Sequence, residues 1–500
     1  MPNKTTIINK FDGGMLADLR DDSELNPRGF AITKHFNLKK GKTLEPYRDL
    51  EADEDKTFNI VKFLFAADGA ATTFNLWGLG VDVGTAKPGI YKKTNTGDVI
   101  GSAWTAPSNN VGTLGDRHKG AFFHYKNYLY CWQNGTVLSR FGDITGTPTF
   151  TDTYQTISYT NVAQPVRHPS DDIAYFFQDN VVHKLNNTTW SSSALTLPSN
   201  LVIMDAEPYG DYLAIACKSL NKAGRSVVFL WDRDSSLATL SRRIDWGFGE
   251  LRWIATLGGN LIGISELFTD TGYFGADFQE IQIRQAVGNK AEFLRSIPVS
   301  LGRSETASNK VADNDKLYFP SGYTIRGVAH RGIWSVDYRG NPTLEVSVQD
   351  AASGPDGIGK LGNYWFVAHS NDGSVDRTNN SALYTYTSIY ESNVFNGGDS
   401  TQKKKVAGVS VSTEPLPAAG QIVLKYLINE DIAGQDWTTD GVTVFTNTTD
   451  DSIHQSAINN AAGVNLPEYK EIQWRIESTG GAKPTALKFK WEIIGKDIYE

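Results

Sequence analysis

Asn127-Tyr128-Leu129-Tyr130, Asp172-Ile173-Ala174-Tyr175, Asp211-Tyr212-Leu213-Ala214, Asn260-Leu261-Ile262-Gly263, Asp315-Lys316-Leu317-Tyr318 and Asn363-Tyr364-Trp365-Phe366 share one pattern. In each, a polar residue suited to a turn precedes the apolar start of a strand. The first positions lie 45, 39, 49, 55 and 48 residues apart, and Asn75-Leu76-Trp77 is a weaker copy upstream. A second strand-like run follows each of the six, over Gly135 to Phe141, Val181 to Leu185, Ser226 to Trp231, Glu280 to Arg284, Gly332 to Val336 and Ala382 to Tyr386. A period of about 40–50 residues with several short strands per unit is that of a propeller blade, whose sheet buries both faces only by stacking on neighbours around an axis. The pattern predicts an all-β fold with six or seven blades over residues 55–398. A chain of two or three β-sandwiches is the alternative that also spaces hairpins regularly.

The rest of the sequence agrees with strands. The chain has 500 residues, too many for one ordinary core, with 11% aromatic residues, 47 glycines and 3 methionines. Helical spacing is confined to short pieces such as Gln455 to Ala462. Residues 1–54 have turn chemistry and little core and read as an extended arm laid on something else. Residues 399–500 read as a small β-sandwich domain. There Ile422, Leu424, Tyr426 and Ile428 share a strand face, as do Ile472, Trp474 and Ile476, and Leu487, Phe489, Trp491 and Ile493.

A formal net charge of −8 argues against duplex DNA or an anionic membrane as the main partner. The basic triplet Lys403-Lys404-Lys405 reads as a solvated strand entry. Cys131 and Cys217 lie inside apolar runs and act as small hydrophobes, so no disulfide framework is expected. Met1 to Lys10 has no apolar stretch suited to a signal peptide, and no window approaches a membrane-spanning length. Folding in the cytoplasm and no membrane insertion are the expectations, and the sequon Asn187-Thr188-Thr189 then carries no meaning.

Catalytic signals are weak. The eight histidines form no metal-ligand spacing, His118 and His124 being the nearest approach, and no nucleophile elbow, phosphate loop or calcium loop occurs. The glycine-rich Gly78 to Gly84 reads as a β-turn. Asp172, Asp205, Asp245, Glu250 and Glu266 offer material for the carboxylate pair of a propeller glycosidase, but any pairing from sequence is arbitrary. Asp436-Trp437-Thr438-Thr439-Asp440-Gly441 echoes a sialidase box superficially. Trp231, Trp246, Trp253 and Trp334 near strand ends could stack on sugars, with blade packing as the plainer use. No cofactor and no metal is expected.

The opening Ile7-Ile8-Asn9-Lys10-Phe11-Asp12-Gly13-Gly14-Met15, with Asp18, Arg20 and then Leu44-Glu45-Pro46-Tyr47-Arg48, resembles the start of tailed-bacteriophage virion proteins in which a Phe-x-Gly-Gly arm precedes a β-propeller. The nozzle proteins of short-tailed phages are similar. Lys404-Lys405-Val406, Pro415-Leu416-Pro417, Val423 to Tyr426 and Glu471 to Glu477 also look like the terminal β domain of such tail or head-to-tail proteins. This chain is shorter than the nozzle proteins and lacks their large insertions. The resemblance implies a non-enzymatic virion component, present as a homo-oligomeric ring and partnered by other tail or connector proteins. Phe11, Gly13, Gly14, Met15, Asp18 and Arg20 become the candidates for an assembly arm. A lumen-lining position would bring genome DNA into transient contact only, past an acidic wall. The rival functions are a propeller that binds a host-surface glycan or receptor and a propeller glycoside hydrolase.

Overall fold

A computed structural model of the chain describes residues 4–10, 30–34, 36–37, 43–46, 50–52, 58–67, 73–82, 88–96, 99–100, 105–108, 122–133, 136–142, 144, 149–220, 225–234, 240–268, 279–299, 310–313, 315–325, 328–348, 355–361, 364–369, 375–378, 387–399, 401–428, 435–448, 453–455 and 466–496. Its contacts divide the chain into two compact units. One joins Met1–Leu50, Asn341–Ser347 and Thr378–Glu500; the other joins Glu51–Gly340 and Val348–Arg377.

The larger unit is a β-propeller. Seven antiparallel sheets follow one another among the described residues, each built mainly from strands consecutive in the chain. The second runs Phe122–Tyr125, Tyr128–Gln133, Val137–Gly142 and Thr149–Thr156; the third runs Val162–His168, Ile173–Gln178, Val181–Asn186 and Thr189–Thr196. The fourth (Leu201–Tyr209, Tyr212–Ser219, Arg225–Trp231 and Leu240–Phe248) and the fifth (Glu250–Leu257, Asn260–Phe268, Gln279–Val287 and Lys290–Val299) merge through one parallel bridge, Asp245 to Lys290, and the sixth begins with Val311–Ala312, Lys316–Ile325 and Val328–Asp337. Inner strands of successive sheets lie side by side, and Pro355–Leu361 of the last lies against Phe58–Ala67 of the first, which closes the ring. Leu50–Ala52, just ahead of the first sheet in sequence, supplies the outer strand of the seventh.

The repeated polar residue marks the hairpin between the first and second strands of its sheet. Second strands begin at Tyr128, Ile173, Tyr212, Asn260, Lys316 and Tyr364. Lys126, Gly210, Gly258 and Gly259 sit at positive φ in two-residue turns, the conformation that such hairpins favour, and Asp172 does so at the end of a four-residue turn. The strands after the turn read as unbroken apolar runs because both faces are covered. Tyr175 and Phe177 join Ile203, Ile215 and Trp231 of the fourth sheet, while Ala174 and Phe176 join Tyr130 and Trp132 of the second. Leu213, Ile215 and Cys217 face back to the third sheet, and Ala214 and Ala216 pack with Trp246 of their own sheet and Ile254 of the fifth. Burial pushes the Cys217 thiol up, so it stays an uncharged packing group.

Several details differ from the sequence reading. Gly78 lies inside the strand Thr73–Asp82 rather than in a turn, and the third strand of the last sheet is Val375–Thr378. Ala382 to Tyr386 fall outside the described residues, as does all but Gln455 of the Gln455 to Ala462 stretch; Gln455 ends the strand Ile453–Gln455.

Among the described residues the smaller unit holds two larger sheets and the two-stranded pair of Phe36–Asn37 with Glu45–Pro46. One larger sheet runs Lys4–Ile8, Pro484–Lys496, Gln402–Thr413 and Ile453–Gln455, with Glu468–Tyr469 also on Gln402–Thr413. The other runs Phe30–Lys34, Ser388–Ser392, Ile472–Thr479, Gln421–Ile428 and Val442–Asn447. The alternating apolar residues meet between them, Trp474 lying 5.4 Å from Phe489 and Phe395 packing edge-on to Phe489 and Trp491. Residues 1–54 therefore do not form one extended arm. Phe36 and Leu44 are fully buried, Leu44 N donates to Pro484 O at 2.8 Å, and Phe30–Lys34 is a sheet strand. The unit also begins at Thr378 rather than at 399, because Ser388–Ser392 is a strand between Phe30–Lys34 and Ile472–Thr479. Lys404 departs from the solvated reading of its triplet. Its side chain turns inward, and Nζ donates to Asp399 O, Gln402 O and Lys470 O, whereas Lys403 and Lys405 face solvent.

Candidate functional site

The hairpin turns that carry the repeat also tie blade to blade. Tyr125, buried at the end of a first strand, donates its hydroxyl to Asp172 O at 2.7 Å and accepts from Asn187 N at 3.0 Å. Lys126 and Arg167 both bind the Asp172 carboxylate, which the Lys126 hydrogen bond, followed by that of Arg167, holds below the usual carboxylate range. His168 Nε2 meets Tyr212 O at 3.1 Å, and Arg233 reaches back to Asp171 at 2.5 Å and to Asp211 O. Asp171 in turn accepts from Tyr175 Oη at 2.8 Å. Replacing Tyr125→Phe removes two hydrogen bonds of one buried hydroxyl and is expected to cost about 1–2 kcal/mol. Urea unfolding with an unchanged m-value checks this.

The five carboxylates singled out in the sequence occupy separate places. Asp172 lies in the turn network. Asp245 is exposed, and its Oδ1 accepts from Gly247 N at 3.2 Å. Only Glu250 and Glu266 come together, as opposite partners in one ladder. Arg252 stands between them, with Nε 2.9 Å from Glu266 and Nη1 3.6 Å from Glu250. Lys218 of the fourth sheet adds 3.0 Å to Glu250, and the buried Tyr323 hydroxyl of the sixth points at Glu266 at 3.5 Å. Burial, reinforced by Glu266, pushes the Tyr323 phenol far up, so it keeps its proton and acts as a donor. The result is a charged chain Lys218–Glu250–Arg252–Glu266–Tyr323 running across three sheets. Each carboxylate is thus held by cations, and the chain of ion pairs braces the fourth sheet against the fifth.

Asp205 is the most deeply placed of the five. Its Oδ2 accepts from Lys310 Nζ at 2.6 Å and from Ile254 N at 2.8 Å. Lys310 also reaches Glu207 at 3.1 Å, Ile254 O at 2.5 Å and Ala206 O at 3.3 Å. Burial alone would lower the Lys310 pKa, but Asp205 and Glu207 hold it above the ordinary lysine range. One ammonium from the sixth sheet thus fastens the first strands of the fourth and fifth. Neither Lys310 nor Lys218 and Arg252 stood out in sequence, since a single cation beside an apolar run looks like any surface residue.

The tryptophans proposed for sugar stacking are not exposed. Trp231 and Trp246 are fully buried, Trp334 is 1% exposed and Trp253 is 5% exposed. Trp253 packs on Phe319 at 4.7 Å and Trp231 on Tyr175 at 5.8 Å, so blade packing uses them. Asp436 to Gly441 lies in the smaller unit as a tight turn, with Thr438 N donating to Asp436 Oδ1 at 2.7 Å. No group of three or more His, Cys, Asp or Glu suited to a metal occurs among the described residues. The arm candidates Phe11, Gly13, Gly14, Met15, Asp18 and Arg20 lie outside the described residues, as does His118.

No protein-family model matches the chain, and no curated protein matches it. Among solved structures it is similar to Raptor from Chaetomium thermophilum, with a TM-score of 0.43 and 9% identity over 68% of this chain, a match that spans 30% of the Raptor chain. It is also similar to the N-terminal domain of Nup159, with a TM-score of 0.38 and 8% identity over 69% of this chain and 98% of that one. The Dos1 propeller matches with a TM-score of 0.34 and 11% identity over 69% and 82%. Likenesses this distant carry no argument by themselves. The sheet order and the closed ring make the chain an all-β protein whose larger unit is a β-propeller.

Proposed function

We propose that the chain is a non-enzymatic structural component of a tailed-phage particle, assembling as part of a tail or head-to-tail ring. The observation that carries this reading is the placement of the opening motif. Ile7 and Ile8, where the resemblance to phage virion proteins begins, belong to an edge strand of the smaller unit, and Phe11 to Arg20 follow directly from it. An edge strand leaves a row of backbone donors and acceptors open to another chain. Ion pairs that join neighbouring sheets of the propeller, Lys310 to Asp205 and Lys218 to Glu250, suit a rigid scaffold.

The test is the mass of the full-length protein in solution beside a chain that starts at Phe30. Cutting there spares Phe30–Lys34, Phe36 and Leu44, whose loss would open the smaller unit's core. A ring that falls to single copies on truncation is the expected result. Single copies in both cases would overturn self-driven ring assembly and favour a glycan-binding or hydrolytic propeller.

A further inference from the structure

The strand Lys4–Ile8 is attached to its own chain by little besides its backbone. Among the described residues it pairs with Pro484–Lys496 alone, from Lys4 opposite Trp491 to Ile8 opposite Leu487, and no other described strand lies on its second edge. None of its five residues is fully buried, and Ile7 is 53% exposed. Its polar anchors converge on one residue: Thr6 Oγ accepts from Trp491 Nε1 at 3.2 Å, and Lys4 Nζ lies 4.9 Å over the Trp491 ring. Pro484–Lys496, by contrast, is held along its length by Gln402–Thr413. The acceptor therefore keeps its place whether or not Lys4–Ile8 covers its second edge.

Residues 9–29 separate this strand from Phe30–Lys34 in the opposite sheet. Such a connection is longer than most within a compact domain, and at full extension it would span roughly 70 Å. Identical contacts form whichever copy donates the strand, so exchange conserves the ladder while joining two chains.

We propose that Lys4–Ile8 is exchanged between copies, the strand of one chain completing the Pro484–Lys496 edge of the next. This rests on the assembly reading above and names its partner as a second copy of this chain. A head-to-tail exchange of this kind makes heterologous contacts, which close into a ring when the rotation between copies allows.

Ile7 and Lys488 are opposite partners, and both are exposed. Antiparallel partners lie within the Cα separation that a disulfide spans. In the double variant Ile7→Cys/Lys488→Cys, oxidised at the concentration where the full-length protein is assembled, exchange predicts a ladder of covalent multimers on a non-reducing gel. Cys131 and Cys217 are buried and do not interfere. A bond closed within single chains, with no ladder, overturns exchange. If the assembled mass persists alongside that internal bond, assembly stands and exchange alone falls; if the mass is that of one copy, both fall. Should the double variant fold poorly, the single variants Ile7→Cys and Lys488→Cys, one of them tagged, are mixed and refolded together. Exchange predicts at least about tenfold more mixed disulfide than either like pair, and equal or smaller amounts contradict it.

Discussion

Replacing Lys310→Met is expected to lower the stability of the propeller by about 3–5 kcal/mol. The side chain is 8% exposed, and its ammonium lies 2.6 Å from Asp205 and 3.1 Å from Glu207. Removing it leaves the Asp205 carboxylate, 4% exposed, with Ile254 N as its remaining hydrogen-bond donor among the described residues. A buried charge stripped of its counter-ion costs far more than the intact pair ever contributed, because desolvation is no longer offset. A second substitution, Asp205→Asn, removes the stranded charge while keeping an acceptor for Ile254 N. In the double variant the two costs are therefore expected to fall short of additive by at least about 1 kcal/mol. Urea midpoints for the four proteins measure this coupling. Additive costs would mean that the pair is a bystander and that apolar packing alone joins the fourth, fifth and sixth sheets.

Acid is expected to weaken the propeller as pH falls through the ordinary histidine range. His183 is 4% exposed, and burial lowers its pKa to about 4. Nδ1 accepts from Ser193 N at 3.2 Å, so the ring proton sits on Nε2, which donates to Gln178 Oε1 at 2.9 Å. The ring stacks on Trp190 with centroids 5.3 Å apart. A second proton would have to sit on Nδ1, facing the Ser193 N–H.

The unfolded chain binds that proton near pH 6.5, and the folded chain only near 4. Stability is thus full above the ordinary histidine range and declines as pH falls through it, by about 3 kcal/mol from this residue on reaching pH 4. Burial also lowers the pKa values of His124 and His168, which act in the same direction. The carboxylates of Asp172, Asp436 and Glu468 are held down by hydrogen bonds from Lys126, Thr438 and Lys403, and their contribution is lost only at lower pH. Urea midpoints between pH 7 and pH 4 test the effect. His183→Gln should be less stable at pH 7 and have a flatter profile; an unchanged slope would assign the acid sensitivity elsewhere.

The propeller was legible because its repeat has a local cause. Each blade needs a tight hairpin between its first two strands, so Asn127, Asp172, Asp211 and Asn260 recur at blade spacing. The strand that follows is covered on both faces, hence runs such as Ile173 to Phe177. Partners far apart in sequence were not legible. Nothing about Lys310 announces Asp205, since the two meet only after the fourth to sixth sheets have stacked.

The smaller unit was misread for a related reason. Its strands Lys4–Ile8 and Phe30–Lys34 are short, and each pairs with a segment more than 300 residues away. Taken alone, residues 1–54 lack a core; Phe36 and Leu44 become one only within the folded unit. The tryptophans show the opposite limit. Strand-end position left sugar stacking open beside the plainer blade packing, and burial decides for packing: Trp231 and Trp246 lie in the clusters between sheets, and Trp334 is buried against Tyr323.

Membership of a phage particle is tested most directly by quantitative mass spectrometry of density-banded tailed particles made from a genome that carries this gene. The expected result is this chain in a fixed number of copies per particle, retained through banding and high-salt washing. Intact, infectious particles without the chain, its peptides confined to the soluble fraction, would contradict the account.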